Sequence, residues 1–279
     1  MDEITKKFSK DVLDIDPEAT TQKIVDALQE QVFETLNKRG AVVAMSGGID
    51  SSVCAALATQ ALGKDRVLGL SLPEKHSSSV SKSLSAILAD QLGIEFIVQD
   101  IEPALKALDC YETQNQAVQR VFQEFNPETD KFKIILPQNL ADTGRINFFK
   151  LVIETPDGKQ TSKRIPQKEL LEIIAATNHK QRTRKQFEYF HADRLNYAVV
   201  GTPNRLEYDQ GFFVKGGDGL ADVKPIAHLY KTQVYALGEY LGLPQQILNQ
   251  KPTTDTYSLT QTQEEFYFVL PYNELDLVL

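Results

Sequence analysis

Apolar side chains at Ile24, Val25, Leu28, Val32, Phe33 and Leu36 recur every three to four residues. That spacing predicts an amphipathic helix over about residues 16–37. Asp16-Pro17 supplies its cap and first turn, and Gly40 marks its end. The pattern then changes to an unbroken apolar run, Ala41-Val42-Val43-Ala44-Met45, which predicts a buried strand. Val53, Ala56, Leu57 and Leu62 return to helical spacing and stop at Gly63. A second apolar run over 67–72 is closed by Pro73. A helix through Leu84, Ile87, Leu88 and Leu92 follows, and 95–98 reads as a third strand. This β-α-β-α-β alternation predicts an α/β fold built on a doubly wound parallel sheet. Ligands of such sheets bind beyond the carboxyl ends of the strands.

The second half departs from that rhythm. Residues from about 103 to 125 predict one helix. Apolar runs on either side of Pro156-Asp157-Gly158 predict a β-hairpin, which has no place in a doubly wound core. Residues of about 126–176 therefore read as an insertion in a single domain of 279 residues, closing with a short helix at 169–176. A helix with Lys180, Arg182, Arg184 and Lys185 on a basic face is expected over about 178–195, and Ala198-Val199-Val200-Gly201 reads as a fourth parallel strand. The glycine-rich stretch 202–225 reads as a long loop, and loops of that length are usually functional. A helix over 229–241 and a helical turn at 244–248 complete the chain's regular pattern. No internal repeat is present.

Composition narrows the class. The formal charge of −8 argues against nucleic acid as the main partner. The two cysteines, Cys54 and Cys110, form no C-x-x-C pair and no zinc set. No apolar run is long enough to span a bilayer, and the amino-terminal residues carry no apolar signal region, so a cytoplasmic location without membrane partners is expected.

The stretch with the clearest chemistry joins the first strand to the next helix: Ala44, Met45, Ser46, Gly47, Gly48, Ile49, Asp50 and Ser51. Small residues let successive backbone N–H groups converge on one point, and the helix adds the positive end of its dipole. Such a corner suits a phosphate or pyrophosphate. Asp50 would repel phosphates unless a divalent cation lay between them, so Mg²⁺ is expected with it. A tight turn capped by Ser46 or Asp50 would explain one or two of these residues and leave the rest of the run unexplained.

Ser46-Gly47-Gly48-Ile49-Asp50-Ser51 matches the SGGxDS signature of the PP-loop ATP pyrophosphatases, with their adenine nucleotide alpha hydrolase-like fold. Later segments resemble the ammonia-dependent NAD synthetases within that superfamily. Asn178 to Arg184 is similar to their N-x-x-x-R-x-R helix, and Gly201-Thr202 followed by Glu207 to their G-T-x-x-x-x-E. Gly211 to Asp222 resembles G-x-F-T-K-x-G-D-G-x-x-D. Pro225 to Lys231 and Lys251-Pro252-Thr253 resemble P-L-x-x-L-x-K and K-x-P-T-A-D. The resemblance spans most of residues 20–279 apart from the hairpin region.

The resemblance implies an ATP-dependent amidation of deamido-NAD by ammonia, through an adenylated carboxylate, with AMP and pyrophosphate released. It implies ATP as co-substrate, bound by residues 44–51 together with Thr202, Lys231 and Thr253. Mg²⁺ would sit on Asp50 and Glu207. Arg182, Lys215 and Asp222 would contact deamido-NAD, and Asp50, Lys215 and Lys231 would serve the chemistry. A homodimer is implied as well. No glutaminase domain fits beside the synthetase core, so ammonia is expected free or from a separate glutaminase.

Singly, each of these residues has a plainer explanation. Arg182 could lie on a solvated helix face, Glu207, Lys215 and Asp222 could be loop charges, and Thr253 could start a turn. Lys231 is harder to dismiss, because a cation at a helix amino terminus opposes the dipole. Ala44, Pro203, Val214, Leu220 and Thr254 depart from the family pattern, and its basic tail pair has no counterpart before Leu279. A relative amidating another carboxylate, such as a sugar acid, and a non-catalytic ATP-binding scaffold are the competing expectations.

Overall fold

The structure is a computed structural model that describes residues 9–136, 148–250, 257–259, 261 and 272–278. Four parallel strands form its central sheet: β1 (Ala41–Ala44), β2 (Val67–Ser71), β3 (Glu95–Val98) and β7 (Ala198–Val200), in the order β3-β2-β1-β7. β1 lies between β2 and β7, with Val42 opposite Leu68 and Val199. Alternation along β1 feeds both faces of the sheet. Ala41 and Val43 enter one apolar core with α1 (Pro17–Gln29), α2 (Ile49–Leu62) and α8 (Lys231–Tyr240). Val42 enters the other, with Leu68, Leu70, Ile101, Leu105 and Ala192. Both faces are covered, as expected for a doubly wound sheet.

The elements follow the predicted pattern with local differences. Asp16 caps α1 by accepting from the Ala19 N–H at 3.1 Å. That helix then relaxes into a π turn over Glu30–Thr35 instead of running on regularly. The helix expected over 103–125 is two, α4 (Glu102–Ala107) and α5 (Cys110–Val121). Asp109, with φ at +52°, breaks them apart. Conversely, the two helices expected at 169–176 and 178–195 are one, α6 (Gln167–Leu195), 29 residues long. No glycine or proline interrupts the segment between them. Thr177 stays in the helix with its hydroxyl accepting from Gln114 Nε2 at 2.8 Å. A short helix, α7 (Arg205–Gln210), also lies within the stretch read as loop.

The hairpin is present as β5 (Lys150–Glu154) and β6 (Gln160–Arg164). A strand not expected from the sequence, β4 (Lys131–Ile135), joins it to make an antiparallel sheet β4-β5-β6. Phe132, Ile134, Leu151 and Ile153 pack one face of this sheet on Val118 of α5, Phe122 just after it, and Ile173 of α6. The outer edge of β4 binds the later segment: Leu259 N–H donates to Phe132 O at 3.0 Å, and Phe132 N–H to Ser258 Oγ at 2.8 Å.

Candidate active site

Strand β1 delivers the chain into Ser46-Gly47-Gly48 at the carboxyl edge of the sheet. Gly47 has φ at +80°, and a Cβ there would lie 2.6 Å from the Ser81 carbonyl oxygen. The turn is laced by its own hydroxyls. Ser46 N–H donates to Ser51 Oγ at 3.2 Å, Gly48 N–H to Ser46 Oγ at 3.3 Å, and Ser52 Oγ to Gly48 O at 2.8 Å. Gly48 occupies the N-cap of α2, a helix of 14 residues, so the dipole is directed at the turn. Gly47→Ala combines left-handed strain with a backbone clash, so the turn must open. The expected result is an ATP dissociation constant raised by about tenfold or more, with a stability loss of about 1–3 kcal/mol. Calorimetric titration with ATP and a thermal melt read the two effects.

Asp50, in the first turn of α2, is gripped from two sides. Asn204 Nδ2 donates to its Oδ1 at 3.0 Å, and Lys231 Nζ donates to its Oδ2. Asn204 is itself fixed as the N-cap of α7, through a reciprocal capping box with Glu207. The local sequence Asn204-Arg205-Leu206-Glu207 thus places a carboxylate and an amide against Asp50. Lys231 opens α8 and is 1% exposed. Burial disfavours its ammonium, but Asp50 and then Glu207 outweigh that and hold its pKa above the ordinary lysine value. Burial and then the Asp50 charge push the Glu207 carboxyl well above the carboxylate range, against the pull of Lys231. Cys54 lies beneath this group. Burial, then Asp50 and Glu207, raise its thiol, so it is packing and not a nucleophile.

Two carboxylates therefore share one buried lysine, an acid-rich balance that a divalent cation would correct. Asp50 and Glu207 are hard oxygen donors of the kind Mg²⁺ takes. Among the described residues no set of three His, Cys, Asp or Glu gathers to hold a metal. A two-carboxylate site suits an ion that keeps waters and substrate phosphates as its other ligands.

A cavity of about 240 Å³ opens over the cradle. Ala44, Met45, Ser46, Gly48, Ile49, Asp50 and Ser51 line it, and so do Thr202, Glu207 and Lys231. The structure thus brings together most of the ATP residues expected from the sequence; Gly47 forms the turn between two of them. Thr253 lies outside the described residues. Arg182, Lys215 and Asp222 are exposed and do not line this cavity. Arg182 Nε donates to the Lys215 carbonyl at 3.1 Å, so these two are neighbours on an outer flank. Asp222 accepts from Val199 N–H at 2.8 Å and from the Tyr189 hydroxyl at 3.1 Å, which ties the following loop to β7.

Among the charged residues of the cavity wall, sequence reasoning gave no site role to four: Arg184, Lys185, Glu188 and Asp218. Periodicity could have found three of them. Gln181, Arg184, Lys185 and Glu188 fall at i, i+3, i+4 and i+7 on α6 and present one face, while Arg182 is turned away from it. Arg184 Nε donates to Leu72 O at 3.1 Å, and Lys185 Nζ pairs with Glu188 at 2.6 Å with both side chains 5% exposed. Asp218 accepts from Val214 N–H at 2.7 Å. Burial raises the pKa of Glu188 and of Asp218 above the ordinary carboxylate values.

Behind the lining of the cavity, the segment after β2 carries a second polar group. Lys180 Nζ lies 3.1 Å from Glu74 Oε1, and both side chains are 0% exposed. The Tyr111 hydroxyl donates to Glu74 Oε2 at 2.7 Å, and Lys180 Nζ lies 3.0 Å from His76 Nδ1. Burial, then the Lys180 charge, lowers the His76 pKa from 6.5 to about 4. As the pH falls from about 6.5 towards 4, the unfolded chain takes up a proton that folded His76 refuses, so the fold loses stability across that window, by up to about 3 kcal/mol from this group. His76→Asn should remove that share of the loss. Chemical unfolding of both proteins at pH 7 and pH 4.5 measures it.

A Ser-Gly-Gly cradle beyond the carboxyl end of a central parallel strand, with a buried lysine set against an acid in the next helix, defines an α/β nucleotide site of the PP-loop type. The family model for NAD synthase matches residues 20–131 and 127–279. The NH(3)-dependent NAD(+) synthetase of Rhizobium meliloti (strain 1021) is 53% identical over 272 residues, which is 98% of this chain and 80% of the relative. That of Thermotoga maritima is 35% identical over 258 residues, 92% of this chain and 85% of the relative. Among solved structures, the NMN synthetase from Francisella tularensis superposes with a TM-score of 0.67 at 27% identity, covering 94% of this chain and 85% of its own. The chain belongs to the NAD synthase family.

Proposed function

We infer that this chain is a carbon–nitrogen ligase that converts deamido-NAD to NAD, using ammonia and ATP and releasing AMP and pyrophosphate. The observation that carries the reading is the convergence of the Ser46–Ser51 cradle, Asp50, Glu207 and Lys231 on one cavity, in a chain of this family. Attack of the nicotinate carboxylate on the α-phosphorus of ATP brings two anions together, and the site must offset that repulsion. The cradle N–H groups and the dipole of α2 bind the pyrophosphate part. Lys231, already buried and charged, stabilises the negative charge that grows on the leaving pyrophosphate. Mg²⁺, held by Asp50 and Glu207, would neutralise phosphate charge when bound.

No side chain need act as a covalent nucleophile, since ammonia attacks the adenylate directly. Arg182, Lys215 and Asp222 are assigned to deamido-NAD on the family pattern. The contact between Arg182 and the Lys215 backbone supports a shared role for the first two. Thr202, on the cavity wall, is assigned to ATP, and Thr253 joins it on the family pattern.

The likeness to an NMN synthetase favours one competitor: the same adenylation applied to nicotinic acid mononucleotide, whose amide is NMN. A pyrophosphate-release assay with ATP, Mg²⁺ and ammonium separates the readings. Release with deamido-NAD, together with NAD formation, is expected. Release with the mononucleotide or a sugar acid, and none with deamido-NAD, would replace the acceptor. ATP binding without turnover on any acceptor would leave only a scaffold.

A further inference from the structure

The cradle, Asp50, Glu207 and Lys231 occupy one side of the cavity. The segment after β2 supplies an adjoining wall, where Leu72, Pro73, Ser77 and Ser81 line the cavity. This wall meets the cradle directly, because the Ser81 carbonyl is the group that a Cβ on Gly47 would strike. A shift of the wall therefore reshapes the space left for the triphosphate.

Ser81 stands in the first turn of α3 (Ser79–Leu92), but the stretch that leads to it from β2 has irregular backbone, so something other than regular structure must hold that stretch. Ser77 N–H donates to Glu74 O and Glu74 N–H to Ser77 Oγ, each at 3.0 Å. That local loop is then fastened to the body of the protein through the Glu74 carboxylate. One oxygen takes the Tyr111 hydroxyl of α5, and the other takes Lys180 of α6. Lys180 reaches His76 as well, so a single buried ammonium holds the segment at two points. Its contact with Nδ1 leaves the proton of neutral His76 on Nε2. Lys180 also precedes Gln181 and Arg184, which line the cavity from α6.

A fully buried ion pair is weak evidence for stability, because an apolar pair of similar volume often holds a fold as well or better. What the charged pair supplies is register: two carboxylate oxygens, each with one fixed donor. We propose that Glu74 and Lys180, together with His76, are positioning residues that set the wall of the ATP cavity. Resting on the ATP-dependent reading above, the proposal makes ATP affinity, more than stability, depend on them.

Calorimetric titration with ATP and Mg²⁺, with no acceptor present, tests it independently of which carboxylate is amidated. The double variant Glu74→Leu, Lys180→Met removes both charges together, so neither is left unpaired. It is expected to melt within a few degrees of the wild type and to bind ATP about tenfold or more weakly. Wild-type affinity in a stable double variant would overturn the proposal. If that variant does not fold, the decision rests on His76. His76→Leu is expected to weaken ATP binding by about fivefold, and His76→Asn, whose Oδ1 can accept from Lys180 as Nδ1 does, to regain most of it. Equal affinities for these two variants would likewise overturn it. Failure of the wild type to bind ATP would instead sink the functional reading itself.

Discussion

Asp50→Asn is expected to lower turnover by about 10³-fold or more while the protein stays folded. Asparagine is nearly isosteric with aspartate and keeps an oxygen to accept from Asn204. The charge balance in the pocket also remains viable, because Lys231 still faces Glu207. With Asp50 neutral, one of the three influences that raise the Glu207 pKa disappears, and Glu207 ionises more readily against Lys231. The substitution therefore removes one of the two carboxylates proposed to hold Mg²⁺ without leaving a buried ammonium unpaired. Steady-state pyrophosphate release gives the rate, and a thermal melt shows that the fold persists. Activity within tenfold of the wild type would contradict the metal role of Asp50.

Most of this site could be read from the chain, for a physical reason. A phosphate cradle is a local device: Ser46 to Ser51 lie within six residues, and their roles follow from small side chains, backbone N–H groups and one helix terminus. The parallel core was legible for a similar reason. Strands buried on both faces show as unbroken apolar runs, and glycines end the helices between them. What escaped was non-local or ambiguous in period. β4 alternates as Lys131-Phe132-Lys133-Ile134-Ile135, a pattern too short to distinguish from loop without its partner β5. The split at Asp109 depends on one left-handed residue that carries no glycine signal. The union of the two expected helices into α6 hid the face that carries Gln181, Arg184, Lys185 and Glu188 into the cavity. Arg182 and Arg184 lie two residues apart on one helix, so they cannot face the same way. Nor does sequence show that Glu74 meets Lys180, because that contact joins segments 106 residues apart.

Lys231→Met is expected to have the other large effect, and to act on fold and function together. Wild-type Lys231 is the buried cation against which both Asp50 and Glu207 are balanced. Methionine fills its volume but leaves two carboxylates close together in a buried place. Breaking a buried pair by removing one partner costs about 3–5 kcal/mol. The carboxylates can reduce that cost by taking up a proton, which gives the prediction a sign. An acid whose pKa is raised in the folded state has its stability fully present below its unfolded pKa and loses it as pH rises through the folded value. Relative to the wild type, the variant should therefore regain melting temperature as the pH is lowered from about 8 to 5. Mg²⁺ should raise its melting temperature more than the wild type's, because the ion supplies the missing positive charge to the same two carboxylates. Turnover should stay low even with Mg²⁺ present, down by about 10²–10³-fold, since the charge on departing pyrophosphate loses its lysine. A variant as stable as the wild type at pH 8 without Mg²⁺ would show that Asp50 and Glu207 do not depend on this lysine.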